Sequence, residues 1–184
     1  MEFNILKEII LKRRSIRKFK VQEIDEESLI DILEISTWAP SAGNLQSWDM
    51  VLIKDQPIKK ALAVAALGQN FIAEASHVII VCANLPRTAR IYGQRGATLY
   101  AYQDTAAFIQ NLLLLIHSKG WGAVWIGAFK ESEVADIIKV EEGIRPIAII
   151  PVGIPDQEPA SPRRIPLSKI LHINSFGNLF KKKV

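Results

Sequence analysis

The sequence predicts an α+β domain in which helices flank a central sheet, and three features lead there. Four apolar runs read as strands, at residues 47–54, 77–83, 122–126 and 145–152. They are separated by stretches of very different length whose apolar residues recur at helical spacing, which fits a sheet covered by helices. No glycine-rich loop follows any of these strands. Gly120-Trp121-Gly122 comes after a helix instead, so a Rossmann or P-loop nucleotide site is not expected.

Taken in order, residues 2–11 put Phe3, Ile5, Leu6, Ile9 and Ile10 on one side of a helix, a stripe expected to be buried. Asp25 caps a second helix, with Glu26 and Glu27 suited to its positive end and Leu29, Ile32, Leu33 and Ser36 on its inner face. Pro40 stops it, because the residue before a proline is pushed out of the α region. Asp55 or Gln56 caps the next helix, which tolerates Pro57 in its first turn, runs to about Leu67 and closes at Gly68. Residues 70–75 form a short helical turn before a β-branched run, 77–83, suited to burial on both faces. Residues 87–96, with Arg87, Arg90 and Arg95, read as a basic loop. The longest helix, 97–119, spans ~35 Å and is apolar almost all round, so it belongs in the middle. Residues 131–138 make a short helix before the last strand. Beyond Gly153, the spacing of Pro155, Pro159, Pro162 and Pro166 gives an extended arm too polar for core, dividing the chain into a body (1–153) and an arm (154–184) within one domain.

Composition narrows the function. With 184 residues, 49% hydrophobic and 23% charged, the chain is long enough to bury a real core. Cys82 lies in an apolar run and reads as a small buried hydrophobe, and His77, His117 and His172 lack the paired spacing of metal ligands. There is no signal-peptide pattern and no apolar stretch of bilayer length, so a cytoplasmic protein without membrane contact is expected. Cations crowd both ends: Lys12, Arg13, Arg14, Arg17, Lys18 and Lys20 near the start, and Arg163, Arg164, Lys169 and Lys181-Lys182-Lys183 near the finish. Such clusters suit a solvated face, a nucleic-acid surface or one anionic ligand. Exposed aromatics do not interleave them, which argues against nucleic acid.

Three segments offer chemistry. Arg13-Arg14-Ser15-Ile16-Arg17 gathers forked cationic donors and a short hydroxyl, the groups that grip a phosphate. Pro40-Ser41-Ala42-Gly43-Asn44-Leu45-Gln46, set between Trp38 and Trp48, offers polar groups beside flat apolar surface, as a planar heteroaromatic with a polar edge requires. Trp125-Ile126-Gly127-Ala128 ends a strand on a glycine whose N–H is open to close approach.

In this order the three segments resemble the nitroreductase family of FMN oxidoreductases, with further matches at Gly68-Gln69-Asn70, Ala75-Ser76-His77-Val78, Arg145-Pro146, Pro151-Val152-Gly153 and Pro162-Arg163-Arg164-Ile165-Pro166. The resemblance implies a mostly antiparallel sheet and an intertwined homodimer with one FMN in each of two interface sites. It places Arg13, Arg14, Ser15 and Arg17 on the flavin from one subunit, with Arg13 and Arg163 or Arg164 at the phosphate and Arg17 near the N1–C2=O edge. Pro40, Ser41, Ala42 and Asn44 would come from the other subunit. Gly127 and Ala128 would face flavin N5, with no side-chain catalyst and no metal, and Gln69 is a further contact. NAD(P)H would reduce the flavin and leave before an acceptor (quinone, nitroaromatic or another flavin) takes its place. Tyr92 and Tyr100 would help line the pocket, with Phe108 read first as ordinary packing and second as lining, and Arg87, Arg90 and Arg95 would attract a pyridine-nucleotide phosphate. A flavin carrier or sensor, or a dehalogenase-like branch of the same family, is the alternative.

Overall fold

The computed structural model describes residues 2–181; Lys182 and Lys183 of the basic tail lie outside them. Strands β1 (Trp48–Ile53), β2 (His77–Asn84), β3 (Gly122–Ala123) and β4 (Ile144–Gly153) form one sheet in the order β1-β2-β4-β3, every pairing antiparallel. The expected class is correct. Helices are α1 (Glu2–Lys12), α2 (Glu26–Ser36), α3 (Gln56–Ala65), α4 (Phe71–Glu74), α5 (Leu85–Arg95), α6 (Ala101–Ser118) and α7 (Glu131–Ile138).

The two-residue period of β2 divides the core. Ile79 and Val81 face α2 and α6 with Leu29, Ile32, Phe108, Leu112 and Ile116. Val78, Ile80 and Cys82 face the opposite layer with Leu62, Ile72 and Val134. Burial on both faces explains the unbroken apolar run, and it pushes the Cys82 thiol up to about 12, an inert hydrophobe as expected. Local chemistry sets the helix starts: Asp25 accepts from Ser28 N–H at 2.9 Å, and Asp55 from Ile58 N–H at 3.0 Å.

Several expectations need correction. Helix α1 forms, but none of its residues is buried, and Phe3 stands 76% exposed. Helical spacing tells which side is apolar, not what covers it. Residues 87–96 are not a loop. Residues 87–95 belong to α5, which Pro86 starts in its first turn and Asn84 caps by accepting from Arg87 N–H at 3.1 Å, and Gly96 opens the turn that follows. The long helix begins as a π-type turn over Gly96–Tyr100 before regular α6, and the third strand keeps only Gly122–Ala123, with Ile126 bridging Ile149 beyond it.

Helix α2 ends at Ser36 with Thr37 as its C-cap, so Pro40 is not what stops it. Helix α7 has the expected limits, and the chain beyond Ile154 carries no buried residue among those described. Phe108, fully buried and stacked on Trp48 at 5.5 Å between centroids, is core and not pocket lining. Replacing it (Phe108→Ala) should lower stability by about 3–5 kcal/mol, read as a shifted midpoint in urea unfolding.

Candidate functional site

On leaving α1 the chain runs along the margin of the sheet. Ile16 N–H donates to Ala123 C=O at 3.0 Å, Lys20 N–H to Ile154 C=O at 2.9 Å, and Asp156 N–H to Lys18 C=O at 2.9 Å. Gly122 permits the approach, since a Cβ there would lie 2.8 Å from the Ile16 side chain. The seam fixes Ser15, which bridges Ala123, and the arginines around it.

Positive charge converges at this seam. Burial pushes the Arg13 guanidinium below its ordinary range, and the charges of Arg14 and Arg164 push it further. His117, in the last turn of α6, is pushed down by burial and then by Arg13 and Arg14. Among the described residues no carboxylate comes within ion-pair distance of Arg13, Arg14, Arg17, Arg163 or Arg164. Arg14 also donates to Leu11 C=O at 2.7 Å and Arg13 C=O at 2.8 Å, closing the negative end of α1. A pocket of about 420 Å³ opens beside them, lined in part by Lys12, Arg14, Ile16, His117, Trp121 and Glu158. Cations from both ends of the chain thus act on one another here, Arg13 and Arg14 half-buried and Arg164 exposed.

Gln69 and Ala128 also meet: the Gln69 amide donates to Ala66 C=O at 2.8 Å and Ala128 C=O at 3.1 Å, pinning the turn that carries Gly127. Nothing lies within 4 Å of where a Gly127 Cβ would stand, so this backbone faces open space.

The third segment lies elsewhere. Pro40 is exposed, and Ala42–Asn44 form one tight turn in which Gly43 and Asn44 both take positive φ. Ser41 Oγ accepts from Gln46 N–H at 3.0 Å. The turn is held by Asp104, which accepts from Ala42 N–H at 2.9 Å and from the Ser47 hydroxyl at 2.8 Å. Sequence reasoning missed Asp104, whose only signal was an acid beside the apolar stretch of a central helix. It missed His117 too, because nothing in the sequence brings residue 117 beside 13 and 14.

Asp104 and His117 mark the two ends of this arrangement along α6, and that separation amounts to ~20 Å at the α-helical rise. One chain therefore gathers Arg13, Arg14 and Arg164, separately joins Gln69 to Ala128, and holds residues 40–44 at the other end of α6. Arg87 corrects a further expectation. It pairs with Asp49 at 2.9 Å and donates to Gln46 and Trp48 C=O, bracing β1 with no charge to spare for a nucleotide. Among the described residues no group of three or more His, Cys, Asp or Glu could hold a metal ion, and no helix is long and apolar enough to cross a membrane.

Comparison with known proteins agrees with this geometry. The profile of the Nitroreductase family matches residues 10–77 and 62–154. The NADPH-flavin oxidoreductase of Vibrio harveyi is 30% identical over 94% of this chain and 75% of its own, and the NADH dehydrogenase of Thermus thermophilus is 29% identical over 88% and 92%. Among solved structures, nitroreductase A from Vibrio parahaemolyticus superposes with a TM-score of 0.87 at 29% identity, over 95% of this chain and 77% of that one. The Vibrio harveyi NADPH:FMN oxidoreductase complexed with NAD+ gives 0.86 at 28%, over 95% and 79%. The chain belongs to the Nitroreductase family.

Proposed function

We propose that this NAD(P)H-dependent oxidoreductase binds FMN in a homodimer and passes hydride from NAD(P)H to a small oxidised acceptor, a quinone, nitroaromatic or flavin, by a ping-pong mechanism. The observation that carries the reading is the unpaired charge of Arg13, Arg14 and Arg164, drawn together from opposite ends of the chain. A phosphate monoester of about −2 charge would relieve that repulsion. The names of the Vibrio harveyi relatives point to the same cofactor class.

The residues fit the group. Arg13 with Arg163 or Arg164 would grip the phosphate, Ser15 would add a hydroxyl, and Arg17 would place positive charge near the N1–C2=O edge. Bound there, FMN supplies a ring that takes up and returns two electrons with a proton. The Gly127 N–H would orient N5, and Gln69 keeps that turn in place through Ala128. Stacking both partners in turn over one face converts their encounter into an intramolecular one, an effect that can reach on the order of 7–11 kcal/mol.

Pro40, Ser41, Ala42 and Asn44 complete the site from the second subunit. The spacing along α6 supports this, since one chain holds them far from its own arginines. The uncovered apolar side of α1 and the exposed Ile165, Leu167, Ile170 and Phe176 of the arm supply surface for such an assembly. On this reading the arm, from residue 154, completes both dimer and site.

Purified protein should be yellow and should bleach when NADH is added without oxygen; colourless material that takes up no FMN would remove the reading. Arg13→Ala or Arg164→Ala should weaken FMN retention by about 1.5–3 kcal/mol, measured as flavin released on dialysis. Asp104→Ala should free the turn at Ala42, lowering both flavin affinity and dimer content by light scattering, whereas Asp104→Asn should keep part of each. Ser41→Trp should disturb dimer mass and the flavin spectrum together.

A further inference from the structure

The end of α5 has a construction that the cofactor does not explain. Gly93 breaks the helix (φ +56°, ψ −143°), and a π-type turn follows over Gly96–Tyr100, a local irregularity frequent at functional sites. The stretch is nonetheless clasped. Thr88 Oγ1 donates to Gly96 C=O at 3.0 Å, and a Cβ on Gly96 would lie 2.5 Å from the Thr88 carbonyl oxygen. Tyr92 and Tyr100 meet edge to face, with centroids 5.2 Å apart and planes at 85°. The Tyr92 hydroxyl rests on Gly43, 2.5 Å from where a Cβ would stand. The aromatic pair thus adjoins the turn assigned above to the flavin.

Arg95 sits on this pair. Its Nε donates to the Tyr100 hydroxyl at 2.9 Å, and its guanidinium carbon is 5.4 Å from the Tyr100 ring centroid. That uses one of five N–H donors. Among the described residues no carboxylate pairs with Arg95 or with Arg90, while Arg87 is taken up by Asp49. Arg95 alone of the three joins a free charge to an aromatic platform.

We propose that Tyr92, Tyr100 and Arg95 form the acceptor-recognition edge of the site, and that Arg95 makes it favour planar aromatic acceptors carrying a carboxylate or similar anionic group. The inference rests on the flavin reading above and adds a substrate class to it. The tyrosines offer flat apolar surface to the ring, and the free guanidinium fork matches a carboxylate. Clasping by Thr88 and Gly96 holds these groups in place before the acceptor arrives, which reduces the ordering that binding must impose.

The test compares 4-nitrobenzoate with nitrobenzene, using NADH and NADPH in turn, for the FMN-loaded wild type and Arg95→Ala. The KM for 4-nitrobenzoate should rise about tenfold or more in the variant, the KM for nitrobenzene less than about twofold, with both nucleotide KM values unmoved. Arg95→Lys should recover part of the loss. Equal changes for the two nitro compounds would overturn the proposal, as would an effect confined to NADPH, which would assign Arg95 to the nucleotide phosphate. Flavin content of the wild type separates the two levels of inference: protein without flavin sinks the parent reading and this one with it, while a yellow, NADH-bleached enzyme indifferent to Arg95 sinks this one alone.

Discussion

The length of one helix governs how this chain can build a site. Helix α6 lies against the sheet with Phe108, Ile109, Leu112 and Ile116 fully buried, so it can neither bend away nor shift in register without opening the core. Asp104 near its start holds one set of polar groups, and His117 near its finish borders another. A rigid spacer of this kind keeps the two sets apart within one chain, which is the feature the proposed dimer answers.

Within one copy, the arginine cluster is itself a balance of forces. Like charges repel, and their partial withdrawal from water makes the repulsion worse. They stay together because backbone hydrogen bonds along the seam, from Ile16 to Ala123 and Lys20 to Ile154, hold the first segment against the sheet and the beginning of the arm. The sheet supplies the cohesion, and on the proposed reading the cations supply the attraction for a phosphate.

Much of this was legible in the residues and some was not, for identifiable reasons. Helix α7 was read to its limits because Glu131, Val134 and Ile138 carry an unambiguous local pattern. Helix α5 was missed because Arg87, Arg90, Gly93 and Arg95 look like a loop, and its stability comes from a cap at Asn84 and contacts at Gly96 that periodicity does not record. The stripe on α1 was seen but its covering was misjudged, since a pattern cannot name its partner. At the site, the resemblance sets Arg13 beside Arg163 or Arg164, and Arg164 acts electrostatically on Arg13, whereas Asp104 acts across 62 positions from Ala42, a relation no local spacing carries. Arg87 was legible as a cation and illegible as a brace, because its partner Asp49 lies on another element.

The seam beside β3 has one more consequence. A short outer strand offers unpaired amides to any neighbouring polypeptide, a standing invitation to aggregate. Here Ile16 already occupies the Ala123 carbonyl, and Lys18 and Lys20 hold charge along the same rim, with Lys18 paired to Asp156 at 2.8 Å. Pro155 and Pro159, just beyond, have no N–H to offer a stranger. The backbone that positions the arginines thereby also guards this flank of the molecule against adding foreign strands.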